Sequence, residues 1–145
     1  MTTKMMRLGD IAQQRETVTI ERSASVAQAA EKMARANKGA VLVESSGRLQ
    51  GIFTERDLLV RVVARGLDPK TTAVESVMTS KLVVGNADDP YQWGLDRMLQ
   101  ARCRHLPLVQ GDRVVGMVSR RDLMSAEIQE LTAELERIDP SSLFM

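Results

Sequence analysis

The 145-residue sequence predicts an α/β fold made of two pseudosymmetric β-α-β-β-α units packed through their sheets. Two observations predict it. Laid against itself at an offset of 65 residues, the chain puts Val18 on Val83, Met33 on Met98, Ala36 on Ala101, Arg48 on Arg113 and Gly51 on Gly116. The register runs on without a gap, so that Arg56-Asp57-Leu58 overlays Arg121-Asp122-Leu123. Apolar character is kept at Val41/Leu106, Val43/Leu108 and Ile52/Met117, which marks duplication of one supersecondary unit. The second observation is that both copies pass through the same order of strand-like and helix-like periods.

The elements follow in chain order. Leu8 to Ala12 reads as a short helical lead-in, repeated loosely around Val74 to Met78. A β-prone run, Thr17 to Ile20 or Leu82 to Val84, then precedes a helix start. Ser25 with Gln28, and Asp89 with Pro90 and Gln92, carry N-cap signatures. Val26, Ala29, Ala30 and Met33, and in the second copy Leu95, Met98 and Leu99, keep a helical period. Two strands follow around a turn in each copy. Ala40–Glu44 and Leu49–Phe53 flank Ser45-Ser46-Gly47, and Leu106–Val109 and Val114–Val118 flank Gln110-Gly111-Asp112, so each pair reads as a hairpin. A last helix opens at Glu55 or Arg120, and the first ends near Gly66 with Pro69 beyond it. The expected boundaries are 8–67 for the first repeat, 68–75 for a linker, 76–138 for the second repeat with an extended C-terminal helix, and 139–145 for a tail.

Composition excludes several functions. At a net charge of +1, with Lys and Arg dispersed among Asp and Glu, the chain offers no basic stripe, so nucleic acid is not an expected partner. No run approaches the ~20 apolar residues of a membrane span, and the N-terminus lacks an apolar secretory core. Neither a membrane nor export is expected. The single Cys103 cannot form an internal disulfide, and with the single His105 it cannot supply a structural zinc site. A reducing cytoplasm fits that usage. Beside Cys103 and His105 no third orienting group is evident, so no catalytic constellation appears and an enzyme is not expected.

Two segments carry a signature. Gly51-Ile52-Phe53-Thr54-Glu55-Arg56-Asp57 and Gly116-Met117-Val118-Ser119-Arg120-Arg121-Asp122 resemble the G-h-x-[ST]-x-x-D pattern of the cystathionine-β-synthase (CBS) domain, and Arg104-His105-Leu106-Pro107-Leu108-Val109 resembles its R-H-L-P-V-V strand. The resemblance extends from about Leu8 to Leu123. It implies a tandem pair, often called a Bateman module, with two clefts for adenosyl ligands of the AMP, ADP, ATP or S-adenosylmethionine class, and with β1 strands exchanged between repeats. No cofactor is required, and an effector protein that receives the signal is implied but not identified. The alternative is a ligand-free scaffold that mediates oligomerisation.

The residues can be read chemically beside that resemblance. Strands ending in Thr54 and Ser119 feed helices whose first N–H groups and dipole favour an anion. Asp57 and Asp122, three residues on, can accept from both hydroxyls of a ribose; equally, each Thr/Ser with its Asp forms a capping box. Arg56, Arg121 and the Arg104-His105 pair add phosphate contacts, and backbone around Gly39-Ala40 and Arg104-His105 can edge a base. The clefts are not expected to be equivalent. Gly39-Ala40 stands where the second copy has Arg104-His105, and Asp88-Asp89 replaces Ser23-Ala24, so one site is expected to be vacant.

Assembly is read from the last helix. Met124, Ile128, Leu131, Leu135 and Ile138 recur at spacings of four and three, an a/d stripe. A helix of this length is marginal alone, so the stripe must pack, and a homodimer is expected. Asp139-Pro140 is expected to stop the helix, leaving an exposed Leu143-Phe144 pair in the tail.

Overall fold

Two β-hairpins in identical register set the architecture. In the computed structural model, which describes residues 6–12 and 17–138, β2 (Ala40–Ser45) pairs antiparallel with β3 (Arg48–Thr54), and β4 (His105–Gln110) with β5 (Arg113–Ser119). Ala40 opposes Thr54 as His105 opposes Ser119, and the bulge between Val43 and Glu44 returns between Leu108 and Val109. Duplication therefore reaches the irregularities. The ladders of the two hairpins join at their tips, where Arg48 pairs with its own counterpart Arg113. The pseudo-twofold passes between these two residues, and the sheet order is β1-β2-β3-β5-β4.

Each repeat has its own apolar core, and a third cluster joins them. Val26, Ala29 and Met33 of α2 (Val26–Ala36) pack with Val41, Val43 and Phe53, while Tyr91, Leu95 and Met98 of α4 (Tyr91–Ala101) pack with Leu106, Leu108 and Val118. Ala40, Leu42 and Ile52 of the first repeat bury against Met117 of the second. Sharing this layer is how two units too small for independent cores become one.

The expected exchange of β1 strands is not what the structure shows. β1 (Thr19–Glu21) pairs in parallel with β2 of its own repeat. The lead-ins are exchanged instead. Helix α1 (Leu8–Ala12) packs Leu8, Ile11 and Ala12 into the second repeat's core, whereas Val74 and Val77, around a 3₁₀ turn at Val74–Ser76, enter the first. Backbone bonds follow suit: the Leu8 amide donates to the Asp89 carbonyl (2.9 Å), and that of Val74 to the Ala24 carbonyl (2.8 Å).

Three further differences have local causes. Leu82 to Val84 does not form a strand; the ladder is reduced to one parallel bridge, Gly85 to Leu108. Glycine holds the place of Ile20 there, and a strand interior is weakened by glycine. Helix α4 takes Pro90 as its N-cap with no side-chain bond, because the Asp89 carboxylate accepts the Asn86 amide (2.9 Å). Ser25 and Gln28, by contrast, form the expected capping box on α2. Finally, the helix after β3 is α-helical only over α3 (Glu55–Asp57) and widens to a π-helical stretch at Leu58–Val63, while α5 (Arg120–Arg137) is α-helical throughout. Trp93 is partly exposed, with the Arg97 guanidinium 5.0 Å over its ring. The Asp139-Pro140 stop and the Leu143-Phe144 pair lie outside the described residues.

Candidate functional site

Both strand-to-helix turns are built alike. Thr54 and Ser119 end their strands in extended conformation and cap the helices that follow. The Asp57 amide donates to Thr54 Oγ1 (3.2 Å) and the Thr54 amide to Asp57 Oδ2 (3.0 Å); the Asp122 amide donates to Ser119 Oγ (3.1 Å) and the Ser119 amide to Asp122 Oδ2 (3.0 Å). The capping role is thus fulfilled at both turns.

Beyond the caps the turns diverge. Asp57 is buried, and its Oδ1 accepts the Thr79 hydroxyl (3.1 Å) and faces Arg61 Nε at 3.6 Å. Arg61 also donates to the Met78 carbonyl (2.7 Å), tying the lead-in of the second repeat to the helix of the first. Thr79 is held in turn by a reciprocal backbone pair with Ile52 (2.9 and 2.8 Å). That approach requires Gly51: a Cβ there would lie 2.6 Å from Met78 Sδ and 2.8 Å from the Thr79 carbonyl oxygen. In the second repeat Asp122 is half-exposed, and the position of Arg61 is taken by the buried Ala126.

The remaining expected residues gather where strand starts meet helix starts. The Glu55 amide donates to the Gly39 carbonyl (3.0 Å), and the Arg120 amide to the Arg104 carbonyl (2.8 Å), again as counterparts. Arg120 Nη2 donates to the Cys103 carbonyl (2.9 Å), and its buried Nε has no hydrogen-bond partner among the described residues. His105 is half-buried; burial pushes its pKa below the ordinary 6.5, Arg104 and Lys38 add to that, and Glu55 and Asp122 oppose it. Glu55 and Lys38 belong to the first repeat, so the charges of both repeats converge on this imidazole. Arg56, Arg104 and Arg121 are exposed, and Ala40 is buried.

A cleft of about 240 Å³ opens beside this convergence, with apolar walls from Ala30, Met33, Ala34 and Leu58 and polar groups from Asn37, Lys38 and Glu55. Of the expected site residues only Gly39 lines it. Sequence reasoning missed Lys38, Asn37 and Glu55; the signal for Glu55 was its place inside the signature, immediately after Thr54. Among the described residues no group of three or more His, Cys, Asp or Glu could hold a metal ion, and no helix is long and apolar enough to cross a membrane.

Comparison with known proteins accounts for this arrangement. The CBS domain model matches residues 8–64 and 74–128. The meiotically up-regulated gene 70 protein of Schizosaccharomyces pombe is 37% identical over 115 residues, covering 79% of this chain but 16% of that protein, so the chain spans a small part of that relative. YhcV of Bacillus subtilis, a CBS domain-containing protein, is 34% identical over 108 residues, 74% of this chain and 76% of its own length. Among solved structures, the CBS domain NE2398 superposes with a TM-score of 0.78 at 30% identity, covering 86% of this chain and 98% of that one. The CBS domain pair of MJ0100, solved with 5′-methylthioadenosine and S-adenosyl-L-methionine, gives a TM-score of 0.78 at 22% identity over 87% of this chain and 98% of that one, a likeness of fold. With two matched segments, each spanning one repeat, the chain belongs to the CBS domain family and carries a pair of its domains.

Proposed function

We propose that the pair is a regulatory module that takes an adenosyl compound, of the AMP, ADP, ATP or S-adenosylmethionine class, between its repeats and passes the signal to an effector protein. The observation that carries this reading is the convergence of charge from both repeats on His105, two of whose contributors, Lys38 and Glu55, also line an apolar-walled cleft of the first repeat. Lys38 and Glu55 line the cleft and act on His105 of the second repeat, so a ligand seated there meets charges shared across the interface and can report on it. The adenosyl ligands held by the MJ0100 pair support the same class.

The two turns take unequal parts in this reading. Asp57 already satisfies Thr54, Thr79 and Arg61, so a ribose at Thr54 and Asp57 must displace native partners. Asp122 is more exposed than Asp57, and we take Ser119 and Asp122, with Arg104, His105 and Arg121, as the receptor on the second repeat, while Gly39-Ala40 and Arg56 belong to the first. Thermal unfolding with AMP, ADP, ATP, S-adenosylmethionine and NAD tests it. Binding to the native state adds about 2.7 kcal/mol at a hundredfold excess over Kd. A flat response across the panel at millimolar concentration overturns the proposal.

A second reading has its own observation. Leu59, Val63, Met124, Ile128, Leu131 and Leu135 are exposed along two helices, and contiguous exposed apolar surface marks an interaction site. This favours a homodimer, with or without ligand. Sedimentation at tens of micromolar, on the full chain and on one truncated after Ala126, tests it: a full-length monomer overturns it.

A further inference from the structure

We infer that a second copy of this chain packs head to tail, the first-repeat helix of one copy against α5 of the other. The inference rests on the homodimer reading above and adds the orientation of its partner. Two stripes are left uncovered by the fold, and they are counterparts. Leu59 and Val63 are 62% and 64% exposed, and the equivalent Met124 and Ile128 are 48% and 62% exposed. The opposite faces of the same helices are buried, at Val62 in one and at Leu123 and Ala126 in the other. Each stripe therefore points away from the module, and the pseudo-twofold presents both in the same way.

Equivalent shape leaves two ways to join two modules. Head to head, each helix meets its own copy; head to tail, each meets the other. Charge decides between them. From Leu59 onward the first-repeat helix and the linker behind it carry Arg61, Arg65 and Lys70 against Asp68. From Met124 onward α5 carries Glu127, Glu130, Glu134 and Glu136 against Arg137. Arg61 is turned inward to Asp57, and Glu130 accepts the hydroxyl of the buried Tyr91. What remains exposed is Arg65 and Lys70 with Asp68 on one side, a net positive stretch, and Glu127, Glu134 and Glu136 with Arg137 on the other, a net negative one. Head-to-head packing sets acid beside acid and base beside base around apolar seams, and like charges at an interface are a strong selector against a wrong mate. Head-to-tail packing sets opposite charges beside each other at both contacts that the dimer twofold generates.

Charge reversal separates the arrangements. Glu127→Lys with Glu134→Lys is expected to weaken self-association about tenfold, as is Arg65→Glu with Lys70→Glu. Combining all four in one chain is expected to restore it, because reversed faces reversed. In a head-to-head dimer each reversal leaves like facing like, so neither pair weakens and the combination rescues nothing. Short thiol cross-linking in a Cys103→Ser background gives a second readout. Val63→Cys and Ile128→Cys are each expected to stay unlinked alone and to link between chains when the two variants are mixed. Self-linking of either single variant overturns the head-to-tail orientation while keeping the dimer; a dimer in which no combination links overturns these stripes as the interface. A native chain that sediments as a monomer overturns the homodimer reading itself. All the changed residues except Cys103 are exposed, and circular dichroism identifies any variant that fails to fold.

Discussion

The two repeats share every strand register and both caps, yet one of them is closed where the other is open. In the first repeat a carboxylate, Asp57, is buried under Thr79 and Arg61, and the helix beyond it widens to a π-helical stretch. In the second, Asp122 is half-exposed, Ala126 replaces the arginine, and an 18-residue α-helix runs on. A π stretch is rare and commonly marks a functional place. Here it coincides with the arginine that clasps the opposite lead-in, so duplication has kept the frame and changed what the frame holds. At the first turn the signature acid is bound to the opposite lead-in, and at the second it is the more exposed of the two.

The largest effect expected from that difference concerns the two signature glycines. Gly51→Ala drives a methyl into the backbone of Thr79 at 2.8 Å, which flexible side chains cannot relieve. A loss of about 3 kcal/mol is expected, the upper end for overpacking. At Gly116 the nearest atom is the Ala12 Cβ at 3.1 Å, on a five-residue helix that can give, so Gly116→Ala is expected to cost about 1 kcal/mol. Urea unfolding of the two variants measures both; equal losses would show that the second lead-in is held as firmly as the first.

Next come the acids. Asp57→Ala removes a cap, a hydroxyl partner and the mate of Arg61 together, for about 3 kcal/mol. Asp122→Ala is expected to cost at least the ~1 kcal/mol of its cap, and in addition to abolish the thermal response to ligand. If Asp57→Ala loses ligand response at near-native stability, the closed and open assignments are the wrong way round. Arg61→Ala makes the first helix resemble the second at this position. With Arg61 about two-fifths exposed, about 1 kcal/mol is expected, and the same variant should raise the first turn's share of ligand binding by freeing Asp57. Calorimetric stoichiometry on the variant tests that: an unchanged number of sites leaves Arg61 a purely structural clasp.

Much of this fold was legible in the sequence because duplication repeats its evidence. The Thr54-x-x-Asp57 and Ser119-x-x-Asp122 spacings announced the caps, and the alternation through Val41 and Val43 announced the hairpins. What was not legible is who packs against whom. Leu8 and Val74 read as lead-ins to the repeats that follow them, but their burial lies across the pseudo-twofold, and no periodicity in a five-residue helix records its partner. The candidate site was legible by residue type and not by accessibility. Asp57 and Asp122 stand at matched positions in the signature, and nothing in it announces that Thr79 and Arg61 cover the first of them.

The smallest expected effect is a slope with pH, and it belongs to the second repeat alone because Ala40 holds the place of His105 in the first. Burial sets the pKa of folded His105 below 6.5, so between those values the unfolded chain holds a proton that the folded chain does not. Stability from this group is complete above about 6.5 and declines as pH falls through 6.5 toward the folded value. His105→Gln should therefore flatten the stability profile on that side, relative to the native chain, and leave it parallel above neutrality. Lys38, Arg104, Glu55 and Asp122 all face the imidazole, so a bound ligand must alter this slope by its charge. A phosphate beside His105 favours the protonated ring and shrinks the slope, whereas the sulfonium of S-adenosylmethionine opposes protonation and does not. Unfolding curves across pH 5–8, with each ligand present, read the difference. Native and His105→Gln profiles that run parallel throughout would show that the folded imidazole titrates like the unfolded one and would overturn the burial assigned to it.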